Sequence, residues 1–163
     1  MSEQILTRES LIEFFGEQEY EKICRHEAGH ALIAILFKRP VDYVKINNSK
    51  EKPSVTHMPG NSLEGSAHIA IAGHMSEFLM RKNFACDLDT VMKELPMELY
   101  RSDPDYQGFQ ASCYYYQLSE VNVVEQVYNL MMACQKPLTA IAAALNEKTS
   151  LNNADLVAIL SAK

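Results

Sequence analysis

Long apolar runs are missing from this 163-residue chain. The longest uninterrupted one, residues 31–37, has seven residues, far short of the roughly 18 that a membrane-spanning helix requires. Basic charge is also scarce: 15 Lys and Arg stand against 21 Asp and Glu, giving a net charge of −6 and a pI near 5.4. That balance argues against a nucleic-acid binder, which carries a basic face, and against attraction to anionic lipid. The N-terminus, MSEQILTRESLIEFF, has acids where an export signal needs a basic region, and no apolar stretch follows. A cytoplasmic location is therefore expected. Cysteine is limited to Cys24, Cys86, Cys113 and Cys134, widely spaced and with no CxxC pair. A zinc ribbon and a disulfide framework are excluded on that pattern, and the four read as small buried apolar residues. No G-x-x-x-x-G-K-[ST] occurs, so no phosphate-binding loop for ATP is present.

What the chain does have is enough apolar residue, 47% against 22% charged, to build a core and stay folded. No internal repeat or low-complexity linker divides it, so residues 1–163 are read as one domain. A short helix is expected over 10–15, ended by Gly16, and a long one over 17–37, charged in its first half and apolar all round in its second. Pro40 limits that helix. Two extended stretches, 42–47 and 53–58, are rich in β-branched residues and joined by a polar connection, which predicts a small β-ribbon. Gly60 and Asn61 break the chain before a second buried helix over 62–82.

Asp87 caps a further helix, expected to run to residue 95, where Pro96 interrupts it. Ser102-Asp103-Pro104 is a start signal, a capping side chain followed by proline at the first helical position, for a helix to about residue 118. Ser119 opens another to 135, and Pro137 one through 145. Asn152 with Asp155 resembles a capping box before LVAIL. The expected fold is mainly α, with one small β-ribbon after the first long helix.

His26-Glu27-Ala28-Gly29-His30 is an H-E-x-x-H motif inside that long helix. Positions four apart stand one above the other on a helix face, so both imidazoles can reach one zinc ion at roughly 2.0–2.1 Å. Glu27 lies roughly 100° round the helix from His26. It is too short to chelate comfortably beside the histidines, but well placed to take a proton from a water at the metal. Such a water has its pKa lowered to roughly 7, which makes hydroxide available at neutral pH.

CRHEAGHALIAILF resembles the zinc-binding helix of the FtsH family, the membrane-anchored AAA+ zinc proteases. IAGHMSEFLM, with Gly73 and Glu77, is similar to the second helix of that peptidase domain, and LNEKTSLNNADLVAIL to its closing segment. The likeness spans residues 17–160, and it implies a helical metallopeptidase domain. It also implies a third zinc ligand, an aspartate far downstream near a helix start and followed by a large apolar residue. Asp105-Tyr106, 75 positions after His30, fits that description. Asp103 is a rival but is also explained as a helix N-cap. Glu77 is the other, 47 positions past His30; the likeness gives it instead a role orienting a zinc-bound histidine through that ring's free N–H.

The remaining groups are read more plainly. His68 and His74 are six apart, on different sides of a helix, and with His57 are taken as structural or exposed. Tyr114, Tyr115 and Tyr116 form an aromatic patch of the kind used for helix packing or an interface, with a hydroxyl polarising a substrate carbonyl as the alternative. The expected activity is that of an ATP-independent zinc metalloendopeptidase acting on unfolded or short peptides. His26, His30 and Asp105 would hold Zn2+, and Glu27 would be the general base. The alternative is a catalytically idle zinc-binding or adaptor module derived from such a peptidase. Expected partners are a peptide or unfolded substrate, and either a second copy of the chain or a larger protease; no nucleic acid and no membrane span are expected.

Overall fold

Thr7 opens the first helix, α1 (Arg8–Phe15), through a capping box with Ser10, and Gly16 closes it. The computed structural model describes residues 6–60, 62–99 and 103–162; the expected break at Asn61 and the cap signal at Ser102 lie outside them. α2 (Glu17–Leu36) follows at once, with Glu17 and Glu19 at its positive end. From Ala28 to Ala34 every residue is buried, as an all-round apolar half-helix requires.

β1 (Tyr43–Ile46) and β2 (Ser54–His57) form the expected antiparallel ribbon, pairing Val44 with Thr56 and Ile46 with Ser54. Val44 and Ile46 are buried while Lys45 between them is exposed, the alternation of a half-buried strand. A third strand is added that sequence pattern does not signal. β3 (Ser150–Asn152) pairs antiparallel with the other side of β1, giving the order β2-β1-β3. It is too short for periodicity to reveal. Among the described residues β2 is therefore an edge strand with one side unpaired.

Six more helices follow among the described residues: α3 (Ser66–Arg81), α4 (Leu88–Glu98), α5 (Pro104–Tyr115), α6 (Glu120–Ala133), α7 (Gln135–Lys148) and, after β3, α8 (Asn153–Ser161). Asp87, Asp103, Ser119 and Asn152 cap α4, α5, α6 and α8 as expected. Pro96 does not end α4, contrary to expectation. It sits in the last turn, where its missing donor costs one bond and buried Val91 and Leu95 already hold the helix face. α5 stops at Tyr115 rather than near 118, because Gln117 turns into the left-handed region and Leu118 N–H bonds back to the Cys113 carbonyl at 2.8 Å. α7 begins two residues before Pro137, whose absent N–H then falls harmlessly in the first turn.

The core lies between α2 and the helices around it. α3 packs along one side, while on the other Tyr20 Oη donates to the Asn146 carbonyl of α7 at 2.6 Å, among Leu138, Ile141 and Leu145. Burying each such side chain is worth about 1.5–3 kcal/mol. All four cysteines are free; Cys24 and Cys113 are buried as expected, whereas Cys86 and Cys134 are only partly covered. Tyr114 and Tyr115 project into solvent, 89% and 76% exposed, so they are not helix packing. No helix among the described residues is long and apolar enough to cross a membrane.

α2 and α3 meet backbone to backbone. A Cβ on Gly29 would overlap the Ala72 carbonyl oxygen and stand 2.5 Å from the Ser76 Cβ, so nothing larger than hydrogen fits. Ser76 Oγ donates across the contact to the Arg25 carbonyl at 2.6 Å. Gly29→Ala is therefore expected to destabilise the protein by about 1–3 kcal/mol through overpacking, despite alanine's better helix propensity. The unfolding midpoint in urea checks this.

Candidate metal centre

His26 and His30 lie one turn apart on α2, their ring centroids 4.7 Å apart. Each ring is fixed from behind by α3. His26 Nδ1–H donates to Glu77 Oε1 at 2.6 Å, and His30 Nδ1–H donates to the Ile69 carbonyl at 2.6 Å. With acceptors at both Nδ1 atoms, each neutral ring carries its proton there and leaves Nε2 as a lone pair. The His26 ring also lies flat on α3 where Gly73 has no side chain; a Cβ there would stand 2.5 Å from His26 Nε2.

Asp105 brings the third donor, from the first turn of α5. Its Oδ2 is 2.7 Å from His26 Nε2 and 3.1 Å from His30 Nε2, and the two nitrogens are 3.0 Å apart. Two nitrogen lone pairs and a carboxylate oxygen thus face one point, an arrangement that requires positive charge at its centre. In the metal-free protein that charge is a proton. Burial opposes the charging of His26, but its hydrogen bonds to Asp105 and Glu77 outweigh it and raise its pKa to about 10. Burial likewise opposes ionisation of Asp105, and the hydrogen bonds from His26 and His30 hold it well below the usual carboxylate range.

A zinc ion answers the same requirement. Two imidazole nitrogens and one carboxylate oxygen match the protein ligands of catalytic zinc sites, and the outer hydrogen bonds to Glu77 and Ile69 are of the kind that orient such ligands. These residues line a cleft of about 1120 Å³, so the centre is reachable from outside the protein.

Glu27 stands beside the donors, its carboxylate within 4.8 Å of ligand atoms of both histidines, and only 5% of the residue is exposed. Both of its oxygens are occupied. Ser54 Oγ donates to Oε2 and Thr56 Oγ1 to Oε1, each at 2.6 Å. These residues are two apart on β2 and so point to one face. Their backbone is placed as deliberately. Ile46 N–H turns to Thr149 on the β3 side and Asn47 N–H to Pro53 on the β2 side; the alternation leaves the N–H and C=O of Ser54 and Thr56 on the free edge.

No protein-family model and no curated protein matches this chain.

Of the sequence candidates, His26, His30, Glu27 and Asp105 are brought together. Glu77 faces the far nitrogen of His26 instead of the central point. Asp103 caps α5 through Tyr106 N–H at 2.9 Å and also accepts from His74 Nε2–H at 3.0 Å. Burial works against its ionisation, yet those two hydrogen bonds keep its pKa below the ordinary value. His74 was taken from the sequence as structural or exposed, yet its ring meets that of His26 edge-on at 5.0 Å. Its place immediately after Gly73 and three before Glu77 was the available signal. Ser54 and Thr56 were also missed; their signal was the i, i+2 hydroxyl pair in the ribbon. His68 lies apart, against Phe37 and Gln126, and His57 stacks on Tyr43.

A pH dependence follows for the metal-free protein. The pKa of His26 is raised on folding, so the pair it makes with Asp105 stabilises fully below the ordinary histidine value of 6.5 and is lost as pH rises towards about 10. The melting temperature of chelator-treated protein should fall between pH 7 and pH 10. With saturating zinc, which takes the proton's place, the fall should be much smaller.

Proposed function

We propose that this chain is a zinc-dependent peptidase of the HEAGH type, related to the FtsH peptidase domain, that hydrolyses unfolded segments or short peptides. The observation that carries the reading is the convergence of His26 Nε2, His30 Nε2 and Asp105 Oδ2 on one point with the Glu27 carboxylate alongside. Bound there, zinc supplies a Lewis acid that polarises a carbonyl and acidifies a water.

The chain's own residues supply the rest. Glu77 and the Ile69 carbonyl keep both imidazoles in the tautomer that offers Nε2. Glu27 accepts the proton of the attacking water as the new C–O bond forms. It then delivers that proton to the amine nitrogen as the C–N bond breaks, so the base ends as it began. Ser54 and Thr56 fix the carboxylate in one orientation while it does so. Their outward backbone groups offer an extended peptide an edge to pair with, which brings a scissile carbonyl past the base. A folded protein does not present such a strand, hence the preference for unfolded or short substrates.

A second reading, a zinc-binding module without turnover, is favoured by one observation: both oxygens of Glu27 already accept short hydrogen bonds, so an attacking water has to share an oxygen that Ser54 or Thr56 already holds. One variant separates the two. Glu27→Gln should keep its zinc and lose at least about 100-fold in the hydrolysis of casein, since a general base contributes that much or more. Casein turnover equal to the wild type's would refute the base assignment. A zinc-loaded wild type that leaves casein intact would select the idle module.

A further inference from the structure

Asp105 is the one member of the central trio that does not belong to α2, so its position depends on how α5 is docked. The start of α5 is set by Asp103 and Pro104. Asp103 Oδ1 accepts from Tyr106 N–H at 2.9 Å, a bond internal to the helix start. The same oxygen accepts from His74 Nε2–H at 3.0 Å, and that bond crosses to α3. α3 thereby places three contacts within one turn: Gly73 under the His26 ring, Glu77 on His26 Nδ1, and His74 on Asp103. Only Pro104, with its fixed φ, separates Asp103 from Asp105, so little rotational freedom intervenes between the crossing bond and the carboxylate.

We propose that the His74–Asp103 hydrogen bond is the latch that holds α5 against α3 and so sets Asp105 Oδ2 on the two imidazole nitrogens, making His74 a positioning residue for the metal centre. The proposal rests on the reading of His26, His30 and Asp105 as that centre. A metal-ligand role for His74 with Asp103 and Asp105, which also lie within 4.8 Å of one another, fits less well. Asp103 Oδ1 is already engaged by two donors, and Asp105 Oδ2 faces the other histidines.

The test is zinc affinity and stoichiometry on the full chain, by competition with a chromophoric chelator. The variants are His74→Ala, His74→Gln, Asp103→Ser and the double variant His74→Ala with Asp103→Ser. Glutamine retains an N–H near the position of Nε2, and serine preserves the helix cap but is too short to reach α3. Wild type should bind one zinc. His74→Ala and Asp103→Ser should each weaken binding about 10- to 100-fold, and the double variant no further than either alone, as a shared interaction requires. His74→Gln should recover most of the loss. Affinity unchanged in His74→Ala would overturn the latch while leaving the zinc centre intact. So would a loss that His74→Gln fails to recover and that tracks a lowered melting temperature of the metal-free form. Two zinc ions in wild type, falling to one in His74→Ala, would overturn it by making His74 a ligand. No zinc in wild type would overturn the centre itself, and the latch with it.

Discussion

The contact of α2 with α3 at Gly29 and Gly73 is the constraint on which the rest of the site depends. Because neither position carries a side chain, the two backbones approach until Ser76 reaches the Arg25 carbonyl and the His26 ring rests on α3. At that distance Glu77 and the Ile69 carbonyl meet the Nδ1 atoms of His26 and His30. Wider spacing would leave both rings free to turn, and the Nε2 atoms would no longer share a target. The helix pair thus acts as a mould for two imidazoles. The sheet and α5 add the remaining parts from opposite sides, β2 bringing hydroxyls to Glu27 and α5 bringing Asp105.

The electrostatics follow from that packing. Four carboxylates, those of Glu27, Glu77, Asp103 and Asp105, surround His26, His30 and His74. Such a cluster concentrates negative potential in the cleft and draws in cations. The metal-free protein meets the demand with a proton on His26, so a metal ion bound there would have to displace it and its binding would be linked to pH. Glu27 is treated differently from the other acids. Its partners are neutral hydroxyls, not imidazoles, which keeps it out of the donor trio.

Local chemistry made much of this legible in the sequence. The side-chain caps Asp87, Asp103, Ser119 and Asn152 were readable because each acts within three residues of itself, although Thr7, which caps α1 in the same way, was passed over for a start at residue 10. The pairing of His26 with His30 was readable because helix geometry puts i and i+4 on one face. Asp105 came from the likeness to the FtsH peptidase domain, as did the orienting role of Glu77, since no local rule joins residues 75 or 47 positions from His30. The third strand, the role of His74 and the hydroxyls on Glu27 were not legible for one common reason. Each is a contact between distant segments whose residue types are unremarkable alone, and Ser150–Asn152 is too short for any periodicity to register. Pro96 misled for a related reason, because the burial of Val91 and Leu95 overrides a propensity that acts only on its own turn.

The most direct measurement is zinc per chain by elemental analysis, comparing wild type with Asp105→Ala after identical purification and reconstitution. One zinc in wild type and clear loss in the variant is the result this account predicts, because Asp105 supplies the third donor to a point that two imidazoles define. A full complement of zinc in both proteins, or none in wild type, would contradict it.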